Sequence, residues 1–271
     1  MKKTYTTVLT IAGSDSSSGA GIQADLKTFA ALECFGLSVI TALTAQNSTG
    51  VNAIYPLDEN CIRGQFRSIS DDFSIDAVKI GMLGSAAAIK TVSALLRELD
   101  RKIPVILDTV LASSGGIALL PADAIPLLKE ELFPLASLIT PNLPESALLT
   151  GMKYAPVTPE EIEETAAKLL ASGAASVLIK GGHEEGEACR DCLFFDNRFF
   201  WFSSKKIMTG NTHGTGCTLS SAIAAFMARG ETTDSAVSLA KTYINEALRA
   251  GAPYLCGRGC GPLHHFYRFW G

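Results

Sequence analysis

The chain has 271 residues, 47% of them apolar and 18% charged, with a formal net charge of −4. This composition excludes a disordered chain, and the length is ample for a sizeable buried core. The acidic balance argues against a general nucleic-acid binder but leaves small anionic ligands open, because one local loop can hold phosphate in an acidic protein.

The first apolar run, Val8 to Gly13, is strand-like and shorter than a signal-peptide core. A helix is expected from about Gly21 to Glu33, then the strand GLSVITALTA, broken at QNSTG. IDAVKIGML reads as a strand before the helical SAAAIKTVSALLRELD, and IPVILDTV as one before PADAIPLLKEELF. ASLITPN precedes LPESALLTG and TPEEIEETAAKLLASG, and ASVLIKGG is strand-like again. DCLFFDNRFFWFSS reads as a hairpin, and two helices start near Thr215 and Thr233. The strands are near-continuous apolar runs, as when helices cover both faces of a parallel sheet. The βαβα order predicts right-handed crossovers and a three-layer α/β/α fold, mainly parallel, with the hairpin as an antiparallel edge. No linker, repeat or low-complexity segment divides the chain, so one domain over 1–271 is expected. No run of about 18 apolar residues predicts a membrane span. The seven cysteines are odd in number and scattered, which fits a reducing cytoplasm. Cys189 with Cys192, and Cys256 with Cys260, are weighed as zinc ligands and set aside. Strand residues three apart face opposite ways, and no histidine stands at ligand spacing.

In such sheets ligands bind outside the carboxyl ends of the strands. Those ends carry GSDSSSGAG, TAQN, KIGM, LDTV, TPNLPE and KGG. NTHGTGCTLSSAIAA is a Gly-rich loop running into a helix. Gly214 and Gly216 leave N–H groups bare, and the helix aims its positive end at the same spot, an anion hole suited to a phosphoryl group. The alternative is an ordinary turn. No Walker P-loop is present. Asn142 and Glu145 share the first turn of a helix. They suit either Mg²⁺ and phosphate or a capping box, and the segment itself favours the cap. Asp108 ends a strand and needs a partner such as Mg²⁺ or a lysine. GSDSSSGAG is an anion nest or a turn, and Asp25 behind it a solvent-facing or capping charge.

In this order the motifs resemble the ribokinase-like superfamily, and within it the hydroxymethylpyrimidine/phosphomethylpyrimidine kinases of thiamine biosynthesis. The likeness runs from AGSDSSSGAGIQADLKTF through TALTAQNSTGV, AVKIGML, LITPNLPE, KGGH and NTHGTGCTLSSAIAA to GCGPLHH. It implies a ribokinase-like fold, ATP and Mg²⁺ as cofactors, a small aminopyrimidine as substrate and a homodimer. Cys217 would take or orient the substrate hydroxyl proton while the Gly214 and Gly216 loop holds the migrating phosphate. Gly13, Asp25, Gln46, Met82 and Val110 would line the pyrimidine pocket. Asp108 and Glu145 would manage Mg²⁺, and Asn142, Lys180 and Thr212 would lie towards ATP. A helix N-terminus lowers a thiol pKa, so a Cys217 thiolate near neutral pH is expected. The chain departs from the family pattern in DTVLASSGG, with Thr109 for proline and Ser113 for lysine, and in serines 17 and 18 for glycines. The rival readings are a pyridoxal or pyridoxine kinase of the same branch, and a catalytically silent ligand-binding protein.

Overall fold

A computed structural model describes residues 3–100, 102–113, 115–182 and 188–270. The elements are β1 (Thr7–Asp15), α1 (Gly21–Ala31), β2 (Phe35–Asn47), β3 (Gly50–Pro56), α2 (Glu59–Ser70), β4 (Ala77–Ile80), α3 (Ala86–Leu96) and β5 (Val105–Leu107). They continue with α4 (Ile125–Leu132), β6 (Leu138–Ile139), α5 (Leu143–Thr150), α6 (Pro159–Ala171), β7 (Val177–Ile179), β8 (Ala188–Phe195), β9 (Arg198–Lys205), α7 (Thr215–Ala228) and α8 (Thr233–Gly251).

Successive side chains of a strand point to opposite faces, and here they sort the core into two. Leu9, Ile11, Val78, Ile80, Val105, Leu107, Val177 and Ile179 face the cluster that includes Ile62 and Phe66 of α2, Ile89 of α3 and Ile162 of α6. Their neighbours Val8, Ala77, Ile106 and Leu178 face Phe29 of α1, Ile223 of α7 and Ile244 of α8. The result is a three-layer α/β/α arrangement on a nine-stranded sheet of order β3-β2-β1-β4-β5-β6-β7-β8-β9. Strands β2, β1, β4, β5, β6 and β7 run parallel. From β1 the chain moves outward to β2, then returns to β4 on the other side of β1 and continues the opposite way. The carboxyl ends of β1 and β4 therefore form a topological switch point, where such sheets open a crevice.

The expected hairpin is β8–β9, closed by Asp196 and Asn197 with φ of 51° and 56°, as a two-residue turn between twisted strands requires. A second antiparallel strand, β3, lies at the opposite edge against β2. Neither it nor α2 was expected. β3 is short and half-exposed, and α2 buries only Ile62 and Phe66, so neither carries a strong apolar signal. α3 ends at Leu96, short of Asp100, and PADAIPLLKEELF divides into 3₁₀ turns flanking α4. No described helix is long and apolar enough to cross a membrane.

Candidate active site

Two helix N-termini converge on Cys217. The thiol is half-buried in the first turn of α7, and the backbone N–H of Gly21, where α1 begins, lies against it. Gly214 is the N-cap of α7 at φ 83°, a left-handed conformation that glycine adopts without strain. With glycine as the N-cap, that position supplies no side-chain acceptor to the first N–H groups of α7. Small residues follow: Ser220, Ser221, Ala222, Ala224 and Ala225 are wholly buried and let α7 lie close on the sheet. That places its positive end over the carboxyl ends of the strands.

The expected acidity of Cys217 is reversed. Burial raises the thiol pKa, and the carboxylates of Asp25 and Asp108 raise it further. Lys79 and the Gly21 N–H offset this only in part, and the thiol stands at about 11. The helix terminus is outweighed by burial among carboxylates.

Asp25 is corrected as well. It does not face solvent. Its carboxylate is completely buried and bound by Lys79 Nζ at 2.9 Å to both oxygens, by Thr10 Oγ1 at 2.6 Å and by Ser221 Oγ at 2.6 Å. Burial alone would lower the Lys79 pKa, but the Asp25 charge raises it, so the pair stays ionised. Ser221 is one helical turn beyond Cys217, so this pair sits beneath the thiol.

Of the other expected pocket residues, Gly13 and Met82 are in contact. Gly13, at the end of β1, packs on Met82, whose sulfur would be 3.1 Å from a Cβ added at Gly13. Met82 is held by Thr41, whose hydroxyl donates to the Met82 carbonyl at 2.7 Å. Gln46 stands half-buried at the end of β2, tied through its backbone to Ser16 Oγ. Val110 is half-buried just beyond β5.

On the far side of α7, Asp108 receives Lys180 Nζ at 2.8 Å, Thr140 Oγ1 at 3.1 Å and Ser220 Oγ at 3.2 Å. Burial works to raise its pKa, but the Lys180 and Lys79 charges hold it below the usual carboxylate range. For Lys180, burial favours loss of the proton, and the Asp108 and Glu145 charges prevent it. A Cβ at Gly216 would lie 3.4 Å from Lys180 Nζ, so the cation adjoins the start of α7. Asn142 bridges to Lys180 across the strand ends and caps α5.

Glu145 completes the capping box with Asn142 and also accepts from Thr109 Oγ1 at 3.1 Å and Leu111 N at 3.2 Å. With its carboxylate occupied by protein donors and Asp108 paired to Lys180, the two are not a ready-made metal cage. Among the described residues no group of three or more His, Cys, Asp or Glu is placed to hold a metal. Such a donor set fits Mg²⁺ only in the manner usual for that ion beside phosphates, held by water and substrate oxygens with few protein ligands. Thr212 is exposed, with its hydroxyl 3.2 Å from Cys260 Sγ. Ser113 receives Ile117 N on its hydroxyl at 3.1 Å and closes a small turn in its own loop. His183 of KGGH lies outside the described residues.

Sequence reasoning missed Asp15 and His213. Asp15 accepts backbone N–H bonds from Ser17, Gly19 and Ala20 and lies 2.8 Å from His213 Nε2. It organises the serine-bearing loop, in which Ser18 takes a φ of 64°. The rim is closed by the C-terminal segment. Ser48, at the β2–β3 turn, accepts on its hydroxyl from Arg258 N and Gly259 N, and its carbonyl accepts from Cys260 N.

A model of the phosphomethylpyrimidine kinase family matches residues 15–264. The chain is 45% identical over 262 residues to the hydroxymethylpyrimidine/phosphomethylpyrimidine kinase of Escherichia coli, covering 97% of this chain and 98% of that one. It is similar to the solved phosphomethylpyrimidine kinase of Clostridium difficile at 41% identity and a TM-score of 0.78, over 89% of this chain and 99% of that one. It is similar also to an ADP complex of Bacillus subtilis pyridoxal kinase, at 36% identity and a TM-score of 0.87, over 97% of this chain and 98% of that one. The chain belongs to the phosphomethylpyrimidine kinase family and is a phosphotransferase of the ribokinase-like fold.

Proposed function

We propose that this chain uses ATP to phosphorylate the hydroxymethyl group of an aminopyrimidine, and then the resulting monophosphate, in thiamine biosynthesis. One observation carries the reading: Cys217 lies where the N-termini of α1 and α7 converge. A helix N-terminus binds phosphate oxygens, and a thiol beside it is placed to meet an acceptor hydroxyl. The aminopyrimidine would rest between Gly13, Met82, Gln46 and Val110. The uncapped turn at Gly214 and Gly216 would hold the γ-phosphate in transfer. Lys180 would face the nucleotide phosphates, with Asn142 and Thr212 on the same side. Mg²⁺, held with the nucleotide near Asp108 and Glu145, would supply charge neutralisation of the phosphates. Cys217 would orient the hydroxyl, and its thiolate, a minor form near neutral pH, would take the proton as the oxygen attacks.

A second reading, pyridoxal or pyridoxine kinase, is favoured by the likeness to the Bacillus subtilis pyridoxal kinase. Mass spectrometry of products from ATP with hydroxymethylpyrimidine, its monophosphate and pyridoxal in competition separates the two. Absence of any phosphorylated product would leave a ligand-binding protein. The whole of 1–271 is read as one kinase domain that acts in the cytoplasm as a homodimer. The continuous sheet supports the first part, the undisulfided cysteines the second and the family resemblance the third. Light scattering of the purified chain tests the dimer.

A further inference from the structure

His213 Nε2 is a crossing point. It lies 2.8 Å from Asp15 Oδ2 and 3.3 Å from the side-chain amide of Gln46. Both the histidine and the aspartate are buried, at 8% and 2% exposure, so water does not intervene freely. Burial works to raise the Asp15 pKa, but the bonds from His213, Ser17 and Ala20 hold it at about 2. Asp15 is therefore a carboxylate and accepts only. A contact of 2.8 Å between it and a ring nitrogen requires the proton to be on that nitrogen.

A protonated Nε2 cannot accept from an NH2. The end of the Gln46 amide that faces it must be the oxygen. The other end of the amide gives the same answer independently. It lies 3.2 Å from Thr44 Oγ1, and that hydroxyl already donates its single proton to the Ser14 carbonyl at 2.9 Å. With its proton committed, Thr44 Oγ1 can only accept, so the amide end beside it must be the NH2. Which end of an amide is which follows from its hydrogen-bond partners, and here both partners agree. The NH2 spends one proton on Thr44 and keeps one.

We propose that His213 is a positioning residue, whose Asp15-held proton locks the Gln46 amide so that it turns one free N–H to the substrate. This inference rests on the reading that Gln46 borders the pyrimidine. The chemistry it selects is a hydrogen-bond acceptor in the ligand plane, such as a ring nitrogen, over an amino group. It also ties substrate recognition to the phosphate loop, because His213 directly precedes Gly214 and its ring packs on Gly19.

Two measurements test it. In the unliganded, ¹⁵N-labelled wild-type chain, NMR of the imidazoles is expected to show His213 Nε2 carrying a proton, the signal being assigned by its loss in His213→Gln. An unprotonated Nε2 would overturn the inference by itself. In kinetics, His213→Phe is expected to raise KM for hydroxymethylpyrimidine roughly tenfold, as for loss of an oriented hydrogen bond, with KM for ATP within about twofold. In a Gln46→Ala background the same replacement is expected to change KM by less than about twofold, because the group being positioned is gone. Additive effects, or an equal rise in KM for ATP, would reduce His213 to a loop support and overturn the proposal. Thr44→Val gives the same cycle if His213→Phe does not fold. A Gln46→Ala variant with wild-type KM would overturn the pocket reading, and with it the substrate-facing half of this inference, while the protonation result stands apart.

Discussion

The backbones of Gly19 and Gly214 are in direct contact. A Cβ on Gly214 would collide with the Gly19 carbonyl oxygen, and one on Gly19 would collide with the His213 ring. The loop after β1 and the loop before α7 are thus held together by the absence of side chains. Gly214→Ala is expected to part them, adding the strain of a φ of 83° to the collision. The left-handed conformation alone costs about 1–2 kcal/mol in a non-glycine residue. Steady-state kinetics should show kcat lower by roughly 10²-fold or more, the scale of losing an oxyanion-hole donor. Near-wild-type turnover would mean that the transferring phosphate is held elsewhere.

The Cys217 thiol, at about 11, is neutral at physiological pH. Alkylation of Cys217 by iodoacetamide, followed by mass spectrometry of its own peptide, should be slow at pH 7 and climb tenfold per pH unit. If the thiolate is the base, kcat should climb likewise, and Cys217→Ser should lose roughly 10²–10⁴ in kcat. A flat kcat profile between pH 7 and 9, with an active serine variant, would leave Cys217 only an orienting role.

Asp15 makes an acid-sensitive contribution to stability. Its folded pKa of about 2 lies below the ordinary value of 3.8, so its stabilisation is complete above the unfolded value and is lost as the pH falls through about 2. The shift corresponds to about 2–3 kcal/mol for this buried group. Urea denaturation of wild type and Asp15→Ala should show a gap that holds from pH 6 to about 4 and narrows below it. A gap independent of pH would assign the loss to packing.

Glu145→Gln puts an NH2 among donors, since the carboxylate accepts from Asn142 N, Thr109 Oγ1 and Leu111 N. A stability loss of about 1–3 kcal/mol is expected from the mismatch. A metal role predicts in addition a several-fold higher Mg²⁺ concentration for half-maximal activity. An unchanged Mg²⁺ titration with reduced stability would confine Glu145 to the cap.

How far the sequence foretold this depends on whether a signal is local. The hairpin of β8 and β9 was legible because Asp-Asn between aromatic runs is a turn with its own chemistry. The strands and their carboxyl ends were legible from apolar runs. β3 was not, because an edge strand needs no continuous apolar stretch. The burial of Asp25 was not legible because its partner Lys79 is 54 residues away, and nothing within α1 distinguishes a buried acid from a capping one. His213 and Asp15, 198 residues apart, escaped for the same reason.

The grip of Ser48 on the backbone of Arg258 and Gly259 spans 210 and 211 residues of chain. The rim of the site is therefore assembled from two widely separated parts of the polypeptide. As the chain emerges during synthesis, the β2–β3 turn must wait, with its hydroxyl and carbonyl without these partners, until another 210 residues have been made. A copy lacking everything from Arg258 onward would carry the sheet and α7, but its β2–β3 turn would lose all three of these bonds.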